Sequence, residues 1–146
     1  MPFIIYKMRS IAFIILHCSA TRCDRRYSFN DCKRDHVKNR KFKDIGYHWY
    51  IERDGTICKG RPEEQAGAHC KERNKHSIGV CYEGGLDENG RPADTRTQAQ
   101  KDSLFDLLIQ LHQRYPRAVI MGHHEFNPLK DCPCFDAEEY RQIFST

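Results

Sequence analysis

Ile11-Ala-Phe-Ile-Ile-Leu16 is an unbroken apolar run that ends at His17, the pattern of a short strand buried on both faces. Ser28 followed by Asp31 forms an N-terminal cap signal for a weakly amphipathic helix carrying Phe29, Cys32, His36, Val37 and Arg40. Tyr47 to Ile51, then Asp54-Gly55, then Thr56 to Cys58 predicts a β-hairpin, because Asp-Gly readily takes the positive φ of a tight turn. Ser77 to Tyr82 is a further strand, closed by Gly84-Gly85. Thr97 and Gln100 make a capping-box pair for a helix whose Leu104, Leu107, Leu108, Leu111 and Tyr115 share one face, and Pro116 stops it. Ala118 to Met121 predicts a strand leading into Gly122-His123-His124, and Asp136 to Phe144 a last short helix. Strands alternating with helices imply an α/β fold, a central mixed β-sheet flanked by helices. Polar residues at the ends of its buried strands mark where such sheets place their sites.

The 146 residues show no linker, repeat or low-complexity tract, so one domain over 1–146 is expected. With 30% charged and 39% apolar residues, the chain is neither disordered nor fibrous. Its net charge of +4 suits an anionic surface such as nucleic acid or cell wall and singles out neither. The longest early apolar run is too short for a membrane span and lacks the form of a secretory signal. A protein that is cytoplasmic as synthesised is therefore expected, with its eight cysteines mostly reduced. Cys18, Cys58, Cys70 and Cys81 fall in or beside strands and are expected to pack as small apolar groups.

His17 closes the first strand and His123 follows the last, so the two converge if those strands are sheet neighbours. Cys132 lies nine positions after His123. Two imidazoles and a thiolate leave a fourth zinc position for water, as in catalytic rather than structural zinc sites. Three rival readings are weaker. His123-x-Glu125 with Pro133-Cys134 is reminiscent of the zinc deaminases, but their second cysteine is missing, since Ala137 stands in its place. Cys132-Pro-Cys134 is not a C-x-x-C redox pair. A Cys–His hydrolase using Cys18 or Cys132 finds no orienting third residue in the spacing.

A set of blocks in order carries a resemblance: His17-Cys-Ser-Ala-Thr21, Asp44-Ile-Gly-Tyr-His48, Arg53-Asp-Gly-Thr56, Gly67-Ala-His69, Asn74, Ser77-Ile-Gly-Val-Cys81, and His123-His-Glu125 through Lys130-Asp-Cys-Pro133. From about Ile11 to Asp136 the chain resembles the zinc-dependent N-acetylmuramoyl-L-alanine amidases of the T7 lysozyme type, relatives of the peptidoglycan recognition proteins. The resemblance implies that Zn2+ is held by His17, His123 and Cys132, and that Tyr47 and Lys130 assist catalysis. It implies cleavage of the bond between the lactyl group of N-acetylmuramic acid and L-alanine. His69 and Asn74 are implied as residues lining a groove for glycan and stem peptide.

The segment from His123 to Cys132 is one residue longer than the family pattern, with Leu129 as the extra residue, and this leaves His123 and His124 as alternative ligands. Tyr47 is expected to orient water, shuttle a proton or bond the oxyanion, and the Lys130 ammonium to stabilise that oxyanion. His48 and His124 neighbour site residues and are expected either to support a ligand, for instance by fixing its tautomer, or to be structural. His36, His76 and His112 are assigned to surfaces or helices.

The expected partner is peptidoglycan, met after release from the cell, with no nucleic acid and no membrane. A regulatory protein partner of the kind known in the family has no signature in Met1–Ser10. The competing class is a module of the same fold that binds peptidoglycan without cutting it, and the presence of Cys132 favours the enzyme.

Overall fold

A computed structural model describes residues 9–144. Met1 to Met8, the bulk of the segment read for a regulatory signature, lies outside the described residues. In chain order the elements are β1 (Phe13–Cys18), β2 (Thr21–Arg22), α1 (Phe29–Lys38), β3 (Trp49–Ile51), β4 (Ile57–Lys59), a 3-10 turn (Asn74–His76), β5 (Ser77–Tyr82), β6 (Gly85–Leu86), α2 (Gln98–Arg114), β7 (Val119–Gly122), α3 (His123–Phe126) and α4 (Glu138–Phe144). The main sheet has the order β4-β3-β5-β1-β7, with β3, β5, β1 and β7 parallel and β4 antiparallel at one edge. It is the expected mixed sheet with helices packed against it.

Both helix starts follow their capping signals. Ser28 Oγ accepts from Asp31 N while Asp31 Oδ2 accepts from Ser28 N, and Thr97 with Gln100 repeats the exchange. Gln100 does more than cap. It is buried, and its Nε2 donates to Ile51 O and Glu83 O, fastening α2 to the sheet. Leu104, Leu107, Leu108 and Leu111 meet Ile14, Leu16, Ile78, Val80 and Ile120 in the larger core. Each such side chain contributes about 1.5–3 kcal/mol of burial. The opposite face of the sheet is closed by a smaller cluster of Cys32, Ile45, Tyr50 and Cys81 beneath α1.

Several boundaries differ from expectation. β1 runs two residues further, so His17 lies within it. Tyr47 precedes β3 instead of opening it, because its backbone oxygen accepts from Arg61 N in the connecting loop and not from a sheet neighbour. His123 and His124 lie in a single helical turn that the sequence did not announce, and α4 starts at Glu138 rather than Asp136. The two-residue strands β2 and β6 pair with each other and are too short to leave a periodic signal. His36 lies on a helix as expected but is buried, its Nδ1 accepting from Gly46 N.

Candidate active site

The parallel register of β1 and β7 sets Leu16 beside Gly122, so the next residues, His17 within β1 and His123 just past β7, stand side by side. Their ring centroids are 4.6 Å apart. Alternation along β1 turns His17 away from the α2 core that holds Leu16 and Cys18. Burial together with the neighbouring His69 and His123 holds the His17 pKa well below its ordinary value, so the ring is neutral near pH 7.

A neutral imidazole has one N–H to place, and a zinc ligand through Nδ1 requires it on Nε2. His17 Nε2 lies 2.8 Å from His69 Nδ1, and His69 Nε2 lies 3.3 Å from Ser77 Oγ. With hydrogens on both Nε2 atoms, His17 donates to His69 and His69 donates to Ser77. That leaves the Nδ1 lone pair of His17 turned to Cys132 Sγ, 3.8 Å away.

His69 is fixed in turn by two glycines. A Cβ on Gly79 of β5 would come within 2.6 Å of the His69 ring, and one on Gly67 within 2.6 Å of its Cδ2. Asn74 Oδ1 accepts from His69 N and Cys70 N, closing the loop that carries the ring. His69 and Asn74 border the cleft, and each also holds the site together.

Cys132 sits in the loop after α3. Its Sγ accepts from Cys18 N at 3.1 Å, a backbone donor suited to a thiolate. Tyr82 Oη donates to Pro133 O and so anchors the same loop to β5. His123 and His124 stand differently in this geometry. His17, His123 and Cys132 place one ligand atom each within 4.8 Å of one another. His124 is turned elsewhere, its backbone N donating to Cys132 O and its Nδ1 3.2 Å from that same oxygen. Leu129, which the resemblance marks as the added residue, is 93% exposed.

Tyr47 stacks 5.2 Å from His17, and burial beside the Cys81 thiol raises its pKa well above 10, which keeps the phenol protonated. Lys130 is exposed on the opposite rim, and its charge adds to burial in lowering the pKa of His123. These groups face one cleft of about 460 Å³ lined by His17, Tyr47, His69, Asn74, His123, Lys130 and Cys132. A larger hollow of about 660 Å³ beside β7 presents Arg117 and Arg141 without an acid, base or nucleophile of comparable arrangement.

Of the two supporting roles expected for His48, the contacts show the structural one and not the fixing of a ligand's tautomer. That position belongs to His69, while His48 binds Gly79 N and Gln65 O and packs 5.8 Å from the His69 ring. His124 acts on the ligand loop through Cys132 O and not on a ligand ring.

Two arginines were not anticipated. Arg9 donates to Glu63 O, Asn74 O, Lys75 O and Ser77 O, pinning the His69 loop to β5. Buried Arg61 donates to Ile45 O and Ala66 O, bracing the segments that carry Tyr47 and His69. Their partners are backbone oxygens, many of them distant in sequence, and no local pattern marks them.

The donor set fits zinc. Nitrogen and sulfur ligands on a tetrahedral zinc, at about 2.0–2.1 and 2.3 Å, stand about 3.6 Å apart, close to the His17–Cys132 separation. Residues 7–135 match the N-acetylmuramoyl-L-alanine amidase family. The chain belongs to that family. The amidase is 42% identical to the endolysin of Escherichia phage T7 over 127 residues, 87% of this chain and 83% of the relative. It is 39% identical to the endolysin of Klebsiella phage KP32 over 134 residues, 92% of this chain and 87% of the relative. Among solved structures it is similar to the endolysin amidase LysCS of Clostridium intestinale, with TM-score 0.77, 27% identity and coverage of 94% of this chain and 84% of that one.

The amidase hydrolyses peptidoglycan, cutting between the lactyl group of N-acetylmuramic acid and L-alanine, and thereby degrades the cell wall. Among the described residues no helix is long and apolar enough to cross a membrane.

Proposed function

We propose that His17 Nδ1, the His123 ring and Cys132 Sγ hold a zinc ion at the floor of the cleft, within a single catalytic domain over 1–146. The observation that carries this reading is the convergence of those three ligand atoms within 4.8 Å, from residues up to 115 positions apart. When bound, zinc supplies Lewis acidity there, lowering the pKa of water and polarising the scissile carbonyl.

The chain's own residues do the rest. His69 holds the His17 ring with Nδ1 turned inward, and the amide of Cys18 stabilises negative charge on Cys132 Sγ. Tyr47, whose proton burial retains, donates a hydrogen bond to the carbonyl oxygen as charge builds on it. The Lys130 ammonium, free to move on the rim, meets the same charge. Asn74 has its Oδ1 taken by two amides, so it meets substrate through its Nδ2 donors. His69 offers the edge of its ring. On this reading the protein acts on the wall after its release.

The test uses purified protein on isolated peptidoglycan. Release of L-alanyl peptides is expected with zinc, none after chelation, and none from Cys132→Ser, which still sediments with the wall. Undiminished release by Cys132→Ser or in chelator would overturn the assignment of the ligands.

A further inference from the structure

Cys18 and Cys134 are 116 positions apart in sequence, yet their sulfur atoms are separated by 3.9 Å. We propose that they form a disulfide when the protein meets a small-molecule disulfide oxidant, and that Cys132 takes no part in it.

The sheet sorts the three neighbouring thiols. Strand alternation sends His17 to the cleft and Cys18 to the other face, into the core of Ile14 and Leu16, and Cys134 packs against that same core. Cys132 Sγ adjoins the Cys18 thiol as well, but the amide and carbonyl of Cys18 and His17 Nδ1 already engage it. Pro133 thus separates a sulfur facing the cleft from one facing the core. Cys134 holds a left-handed backbone, φ +68°, which a residue with a side chain seldom adopts. The Cys18 sulfur is closely confined, since a Cβ on Gly85 would lie 2.4 Å from it. A bond of about 2.05 Å requires the two sulfurs to close by about 2 Å, within the range of side-chain rotation.

Access fixes the order of events. Cys134 is half-buried and borders a surface cleft with Lys130, Asp131 and Asp136, whereas Cys18 is 4% exposed. The Cys134 sulfur displaces one RS group from an oxidant RSSR, giving a mixed disulfide and one RSH. The Cys18 sulfur then displaces the second RS group, which leaves as RSH. Two protein thiols are oxidised and one RSSR is reduced to two RSH. The product joins the end of β1, next to ligand residue His17, to the loop that carries Cys132. Closing so long a loop restricts the unfolded chain and raises stability.

The experiment treats the full-length, zinc-supplemented protein with oxidised glutathione, alkylates the remaining thiols, and maps the products by non-reducing tryptic mass spectrometry. Peptides Ser10–Arg22 and Asp131–Arg141 are expected to be joined through Cys18 and Cys134, with the alkyl label on Cys132. The melting temperature is expected to rise on the order of 5–10 °C, to return with reductant, and to stay unchanged by oxidant in Cys134→Ser. Full alkylation of Cys18 and Cys134 after oxidation, or a link through Cys132, overturns the proposal. The peptide map of the unmodified sequence decides it even if the serine variant fails to fold.

Discussion

His17 Nε2 and His69 Nδ1 stand 2.8 Å apart, and this one hydrogen bond determines which nitrogen of His17 is left for the cleft. A ring that donates through Nε2 keeps its Nδ1 lone pair, and Nδ1 is the atom nearest Cys132 Sγ. His69→Ala is therefore expected to weaken zinc binding by about 10–100-fold, read by competition with a chromophoric chelator. Affinity equal to that of the unmodified protein would remove His69 from the support of the ligand.

Gly79 lies under the His69 ring, and a methyl group there would enter the ring's space at 2.6 Å. The neighbours on both sides of this central strand are packed, so the ring must move. Gly79→Ala is expected to lower stability by about 1–3 kcal/mol in urea denaturation and to lower zinc affinity in parallel. A variant with unchanged affinity would show that the slot does not set the ring's position.

Lys130 is exposed, so its removal is expected to leave the fold intact. Lys130→Ala is expected to reduce kcat/KM on peptidoglycan fragments about a hundredfold while the melting temperature stays within about 1 °C, since the charge is needed where the oxyanion forms. A loss below threefold would place the ammonium outside the reaction.

His36 and His48 are buried, and desolvation lowers the pKa of each from 6.5 to about 4. The unfolded chain takes up protons on these rings near pH 6.5, whereas the folded chain resists until about pH 4. Protons thus favour the unfolded state across that window, and stability falls as pH drops from 6.5 to 4. The cost is about 2 kcal/mol per ring by pH 5. Urea midpoints measured across this range should fall, and His48→Gln should flatten part of the slope if the variant folds. A flat profile between pH 6.5 and 5 would contradict the assignment.

The sheet and both long helices were legible because their signals are local. The Ile11–Leu16 run, the Ser28–Asp31 and Thr97–Gln100 caps and the leucine stripe of α2 each lie within one helix or one strand, and burial then reinforces what the local pattern prefers. His17, His123, Cys132, Tyr47 and Lys130 were legible as residues, through blocks that resemble a known family. Their meeting was legible only as a condition, that the strands of His17 and His123 be sheet neighbours. It follows from β1 pairing with β7 in a register that sets Leu16 beside Gly122, a relation between segments about 105 positions apart.

The one-turn helix α3 separates His123 from His124, and only that turn sends the first to the cleft and the second to the Cys132 carbonyl. His69, Arg9 and Arg61 were hidden as supports for a common reason: their partners are a distant ring nitrogen or main-chain oxygens, which carry no side-chain pattern to read. The sequence by itself determined which elements form and which side chains have the chemistry. Tertiary structure decided which imidazole nitrogen faces the cleft, which histidine of the pair joins it, and which of two cysteines flanking Pro133 turns to the core, because hydrogen bonds and steric fit between remote segments have no counterpart in local periodicity.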